Sequence, residues 1–100
     1  MTKSKPGLQL PFDPPARFDI IRIKQVYKRR GRSRSGHYAD VKAKLFPSPF
    51  KVGRRGAGNA DYEIDIMNRA EASGKTEEYR RALVEALESV RAFALAEDLL

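Results

Sequence analysis

Glycine and proline interrupt this chain at Gly31, at Pro47 and Pro49, at Gly53 and Gly56, and at Ser73-Gly74. The lengths between those points allow short elements until one long segment at the end. Gly31 suits the left-handed residue that closes a helix, and Ser33 two places on is an N-cap whose hydroxyl accepts from the next turn. Two short helices on either side of a tight turn are therefore expected. In the first, Ile23, Val26 and Tyr27 recur at i, i+3, i+4 and make one apolar face, while Arg22, Lys24, Lys28 and Arg29 point outward. A short strand over Phe18 to Ile21 leads into it.

The second helix is expected from Arg34 to about Lys44. Tyr38, Val41 and Leu45 can face a core from it, and Arg34, Ser35, Ala39 and Lys42 make a small, polar, cationic outer surface. Phe46-Pro47-Ser48-Pro49 breaks that helix. Extended flanks around Gly53-Arg54-Arg55-Gly56 then predict a hairpin tip with positive φ at the glycines and two exposed guanidiniums. Asp61 to Ala72 reads as a third helix, whose acidic Asp61, Glu63 and Asp65 complement the helix dipole. Thr76 is an N-cap for a fourth helix that continues almost to Leu100, with Tyr79, Leu83, Ala86, Val90 and Phe93 as its apolar stripe and Ala82, Leu87 and Ala94 widening it.

Met1 to Ala16 holds Pro6, Pro11, Pro14 and Pro15 and reads as an extended or flexible arm. Leu8, Leu10 and Phe12 alternate there, and Lys3 and Lys5 could touch a phosphate backbone. The organisation expected is an arm over 1–17, a compact unit over 18–72 and a C-terminal helix over 73–100. One hundred residues hold one small core and no second domain. With no cysteine, neither disulfides nor thiolate metal sites are available, and no apolar run is long enough to span a membrane, so a cytoplasmic protein is expected.

Charge is segregated. Residues 1 to 60 carry 15 Lys and Arg against 3 Asp and Glu, and residues 61 to 100 carry 5 against 10. A front half at +12 attracts polyanions through counterion release, and a back half at −5 suits protein contact. A helix-turn-helix presents the start of its second helix to base edges in the major groove, where Arg reaches guanine O6 and N7. Arg34 is the leading base reader on that view. Ser35 and the free amides of the first turn suit a phosphate. Arg54 and Arg55 on a narrow projection suit a minor groove or its phosphates.

The motifs Arg22-Ile23-Lys24, Gly31-Arg32-Ser33-Arg34-Ser35, Phe46-Pro47-Ser48-Pro49-Phe50-Lys51-Val52-Gly53 and Glu63-Ile64-Asp65 follow one another without large gaps. In that order the stretch over 22–69 resembles the AlpA family of prophage regulators, and more broadly the excisionases and MerR-like winged-helix proteins. The chain departs from the family at Gly36 and His37, where Thr and an aliphatic residue are usual, at Lys44, where Gly is usual, and at Asn59, where Trp is usual. His37 is read as a core histidine, with a DNA-facing donor as the other reading.

The resemblance implies a mainly α fold with a small β wing, a winged helix-turn-helix followed by the long C-terminal helix. It implies a sequence-specific, non-catalytic double-stranded DNA-binding accessory protein of a mobile element, an excisionase or recombination directionality factor assisting a tyrosine or serine integrase, or else a transcriptional regulator of a neighbouring gene. Arg32, Ser33, Arg34, Ser35, Tyr38 and Lys42 then serve the major groove and its edge, Arg54 and Arg55 the wing, and Lys24, Lys28 and Arg29 the phosphates. No cofactor is expected, given a single histidine and no phosphate-binding GxxxxGK[ST]. The C-terminal helix is expected to pack on the domain, to self-associate on DNA or to meet a partner protein. From another class, a basic RNA-binding module or a protein adaptor accounts for the charge as well, with Tyr27 and Tyr38 available for base stacking.

Overall fold

A computed structural model describes the backbone of residues 15–98 and the side chains of residues 15–91. The arm's Lys3, Lys5, Leu8, Leu10 and Phe12, and the side chains of Phe93 and Ala94, lie outside the described residues. Four helices and a three-stranded antiparallel sheet follow in the order β1 (Ile20–Arg22), α1 (Ile23–Arg29), α2 (Arg34–Lys42), β2 (Phe50–Val52), β3 (Gly56–Ala60), α3 (Asp61–Ala72) and α4 (Glu77–Asp98). The strand order is β1-β3-β2, so the hairpin of β2 and β3 is extended by the strand that feeds the first helix. Among the described residues no helix is long and apolar enough to cross a membrane.

Two helices start without a side-chain cap because they continue directly from strands, α1 from β1 at Arg22 and α3 from β3 at Ala60. The two starts are tied together: the Asp61 amide donates to the Asp19 carbonyl at 2.9 Å, and the Asp19 amide donates to the Asp61 carboxylate at 3.2 Å. The helices that follow loops carry the expected caps. Ser33 Oγ accepts from the Gly36 amide at 3.1 Å, and Thr76 Oγ1 accepts from the Tyr79 amide at 3.1 Å.

All three helix exits have the same form. After α1, α2 and α3 the next residue but one takes a left-handed conformation, and the residue beyond it donates back into the last turn, as from Arg32 to the Tyr27 carbonyl, Leu45 to Asp40 and Lys75 to Ala70. Gly31 and Gly74 serve at two of these exits, but the third residue is Lys44, at φ 65°. A side chain in that region costs about 1–2 kcal/mol. The second helix thus ends at Lys42, two residues before the expected position.

The sheet accepts its register because β3 is nearly side-chain free. Arg22, Gly58 and Phe50 stand in one row, and a Cβ on Gly58 would collide with the Ile21 carbonyl of the adjacent strand. A Cβ on Gly56 would meet the Arg22 guanidinium at 2.5 Å, so that cation reaches from β1 to the strand pair next to the hairpin's turn. At the tip Gly53 has positive φ, at 67°, whereas Gly56 does not, and the atoms nearest it belong to the movable end of the Arg22 side chain.

One core gathers side chains from most of these elements. Val26 of α1, Phe46 of the loop, Ile64 of α3 and Leu87 of α4 are fully buried, with Ala60, Ile66, Met67, Leu83 and Val84 around them. Burying side chains of this size contributes about 1.5–3 kcal/mol each. The N-terminal part of α4 therefore packs inside the domain, on α3. Its buried face runs through Leu83, Val84 and Leu87, whereas Tyr79 and Ala82, placed on the apolar stripe by spacing, are exposed.

Polar groups tie α4 down. Glu63, read above as a dipole-complementing carboxylate, is instead completely buried. Arg91 from α4 donates to both its oxygens, at 2.7 and 2.8 Å, and also to the Ser48 carbonyl at 2.8 Å. Asn59 donates to Glu63 at 3.1 Å and to the Pro47 carbonyl at 3.2 Å, and Glu88 accepts from the Ser48 amide at 2.7 Å. Phe46-Pro47-Ser48-Pro49 is thus more than a helix breaker. It is a strap clamped between β3, α3 and α4.

Candidate nucleic-acid interface

The turn between α1 and α2 is set by buried electrostatics rather than by glycine alone. Arg30, the first residue beyond α1, has a side chain only 2% exposed. Its guanidinium donates to Asp40 at 2.9 Å and to His37 Nδ1 at 2.9 Å, and lies 4.2 Å from the centre of the Phe46 ring. Arginine only donates, so Nδ1 is the accepting nitrogen and the ring proton sits on Nε2. His37 is the core histidine favoured from sequence, ringed by Tyr27, Tyr38 and Phe46. Burial, and next the charge of Arg30, depress its pKa to about 4, so it stays neutral. Arg30's own pKa is lowered by burial, against the opposing pull of Asp40.

Asp40 accepts a second arginine. Arg32 Nε lies 3.3 Å from it, and the other end of the Arg32 guanidinium bonds to Glu71 at the end of α3. Glu71 in turn faces Arg80 of α4 at 3.8 Å. Arg32, grouped from sequence with the exposed DNA contacts, is thereby committed to a chain of ion pairs that ties the start of α2 to α3 and α4. Arg29 similarly pairs with Asp65 at 3.3 Å. The far end of α2 is also held, because Arg81 donates to the Ala43 carbonyl at 3.0 Å.

The remaining candidates are outward. Lys24, Lys28, Ser33, Arg34, Ser35, Tyr38, Lys42, Arg54 and Arg55 are all exposed. Tyr38, which spacing also allowed toward the core, is 42% exposed and stands beside Arg34, whose guanidinium carbon is 5.6 Å from the ring centre. Among the described residues, none of these lysines and arginines lies within ion-pair distance of a carboxylate, whereas Arg29, Arg30, Arg32, Arg80, Arg81 and Arg91 all do. Exposed Lys44 and Lys51 join the unpaired set, and so does Arg22, whose guanidinium lies beside Gly56 near the hairpin's turn.

The molecule has therefore sorted its cations. Among the described residues one group pairs with carboxylates of the fold; the other is unpaired and lies mostly on β1, α1, α2 and the hairpin, with Arg17, Arg69 and Lys75 unpaired elsewhere. Sequence reading found the free group through helical spacing and the Gly-Arg-Arg-Gly tip. It missed Arg30, Asp40, Glu71 and Arg91, whose partners come from distant positions and leave no local pattern. No family model, no curated protein and no solved structure matches the chain.

Proposed function

We propose that this protein binds double-stranded DNA without catalysis, as a winged helix-turn-helix in which α2 enters the major groove and the hairpin of β2 and β3 is the wing. The observation that carries this reading is the sorting of cations just described. Arg30, Arg32 and Arg91 are neutralised within the fold, while Lys24 and Lys28 of α1, Arg34 and Lys42 of α2, and Arg54 and Arg55 at the hairpin tip carry no ion pair among the described residues and are available to phosphates or bases. The α2 start has the right shape as well, since Ser33 caps it, Gly36 keeps it narrow and Arg34 projects from its first turn.

Arg34, Ser35, Tyr38 and Lys42 serve the major groove, Arg54 and Arg55 the wing, and Lys24 and Lys28 the flanking phosphates. The resemblance of residues 22–69 to AlpA-like regulators and excisionases supports a role at a mobile element, assisting its integrase. Neutralising about five phosphates predicts that log K falls against log salt with a slope of about −4 to −5. A gel-shift titration on a fragment beside the gene, at two salt concentrations and with duplex DNA and RNA competitors, tests this. Discrete complexes that duplex DNA alone competes away are expected. Affinity indifferent to salt, or preference for RNA, refutes it.

A further inference from the structure

Beside the basic face lies a second surface with no occupant among the described residues. A groove of about 320 Å³ runs between the C-terminal half of α3 and the first turns of α4. Its floor is apolar, from Ile66, Ala70 and Leu83, and Tyr79, 42% exposed, stands at its rim with Arg69 and Lys75. We propose that the chain's own N-terminal arm, residues 1–14, folds back along α3 and seats Leu8, Leu10 and Phe12 in this groove.

The path is laid out in the described part of the molecule. The arm joins the fold just before Phe18, whose ring meets Tyr62 edge-on with centroids 5.3 Å apart. Tyr62, Ile66 and Ala70 are spaced i, i+4, i+8 on one side of α3; all three belong to the core, and Ile66 and Ala70 show their edges in the groove, one and two turns along the helix from the Phe18 contact. Phe18 and Tyr79, two of the exposed large apolar side chains, mark the two ends of this track.

Length and chemistry both suit the arm. From Tyr62 to Ala70 the helix rises about 12 Å. The six residues from Phe12 to Phe18 span up to about 20 Å when extended, and Leu10 and Leu8 reach farther. Pro6, Pro11, Pro14 and Pro15 hold such a segment extended at little further entropic cost, and prolines pack well against an aromatic wall such as Tyr79. Asp13, the arm's one carboxylate, follows Phe12 directly in the sequence and is opposite in charge to Arg69 and Lys75 at the groove's rim.

The chain contains no tryptophan, so Phe12→Trp in the full-length protein gives a single reporter. Emission shifted to the blue and shielded from iodide is expected, independent of protein concentration. Tyr79→Ser, at a half-exposed position, should return it to the emission of free tryptophan, and so should Leu8→Ser combined with Leu10→Ser, which leaves the described fold untouched. Helical circular dichroism confirms that each variant is folded. Water-like emission in the Phe12→Trp protein itself overturns the proposal, as does shielding that survives Tyr79→Ser. Shielding that appears only as concentration rises also overturns it, and assigns the groove to the arm of a second copy.

Discussion

Replacing Arg91 by methionine should unfold this protein far more readily than its place near the end of α4 suggests. Glu63 is completely buried and its two oxygens face Arg91 at 2.7 and 2.8 Å, whereas Arg91 itself is 24% exposed and keeps a route to water. Burial by itself would lower the Arg91 pKa; its hydrogen bonds to Glu63 together with the negative charges of Glu63 and Glu88 outweigh that, and the net direction is up. The two halves of the pair are therefore unequal. Arg91→Met strands a buried carboxylate on the Asn59 amide alone and costs about 3–5 kcal/mol. Glu63→Gln leaves a cation that still bonds the Ser48 carbonyl and reaches solvent, and costs about 1–3 kcal/mol. The double variant, which strands no charge, should be more stable than Arg91→Met alone, a coupling of at least about 1 kcal/mol. Thermal unfolding followed by circular dichroism reads this directly, since each kcal/mol moves the Tm of a domain this size by about 4–8 °C. A Tm drop of only a few degrees for Arg91→Met, or strictly additive losses in the double variant, would refute the reasoning.

His37 should make stability fall as the solution is acidified. Its folded pKa of about 4 lies below the ordinary 6.5, so below pH 6.5 the unfolded chain takes up a proton that the folded one refuses. Up to about 3 kcal/mol is lost between pH 6.5 and 4, and urea denaturation across that window should show a loss that His37→Leu abolishes. Lys44→Gly should raise stability by about 0.5–1 kcal/mol, because it relieves the left-handed lysine at the exit of α2 at the expense of some chain entropy; an unchanged urea midpoint would mean the exit is not strained. Gly58→Ala should cost about 1–3 kcal/mol or more by driving a methyl into the Ile21 carbonyl, whereas an undiminished stability would show that β1 does not pack against Gly58 in this way. In the gel-shift assay, Arg54→Ala should make the salt slope shallower by about one, and Arg32→Ala, which breaks internal ion pairs, should lower Tm before it changes that slope.

The difference between Arg54 and Arg32 shows how the cations could and could not be read in advance. Both stand beside a turn glycine in a basic stretch, and nothing local separates them. Arg54 sits on a two-strand projection with no carboxylate within ion-pair distance among the described residues, while Arg32 meets Asp40 from α2 and Glu71 from α3. Glu63 is the same case with opposite sign, because its position in the first turn of a helix suggests a dipole partner on the surface. Only the arrival of Arg91, 28 residues away along the chain, makes it a buried anchor.

Local chemistry, by itself, determined the elements. Gly31 and Ser33 punctuate α1 and α2, Thr76 starts α4, the Gly53 turn closes the hairpin, and each of these follows from backbone dihedral preference or one hydroxyl's reach, which are properties of a few neighbouring residues. Charge segregation was equally plain, since it needs only counting. The tertiary structure decided the rest: that β1 joins the hairpin as a third strand, that α4 turns Val84 and Leu87 inward and leaves Tyr79 out, and which arginines are free. Those outcomes depend on pairs of groups far apart in sequence, whose energies exist only once the chain has brought them within a few ångströms in a place that excludes water.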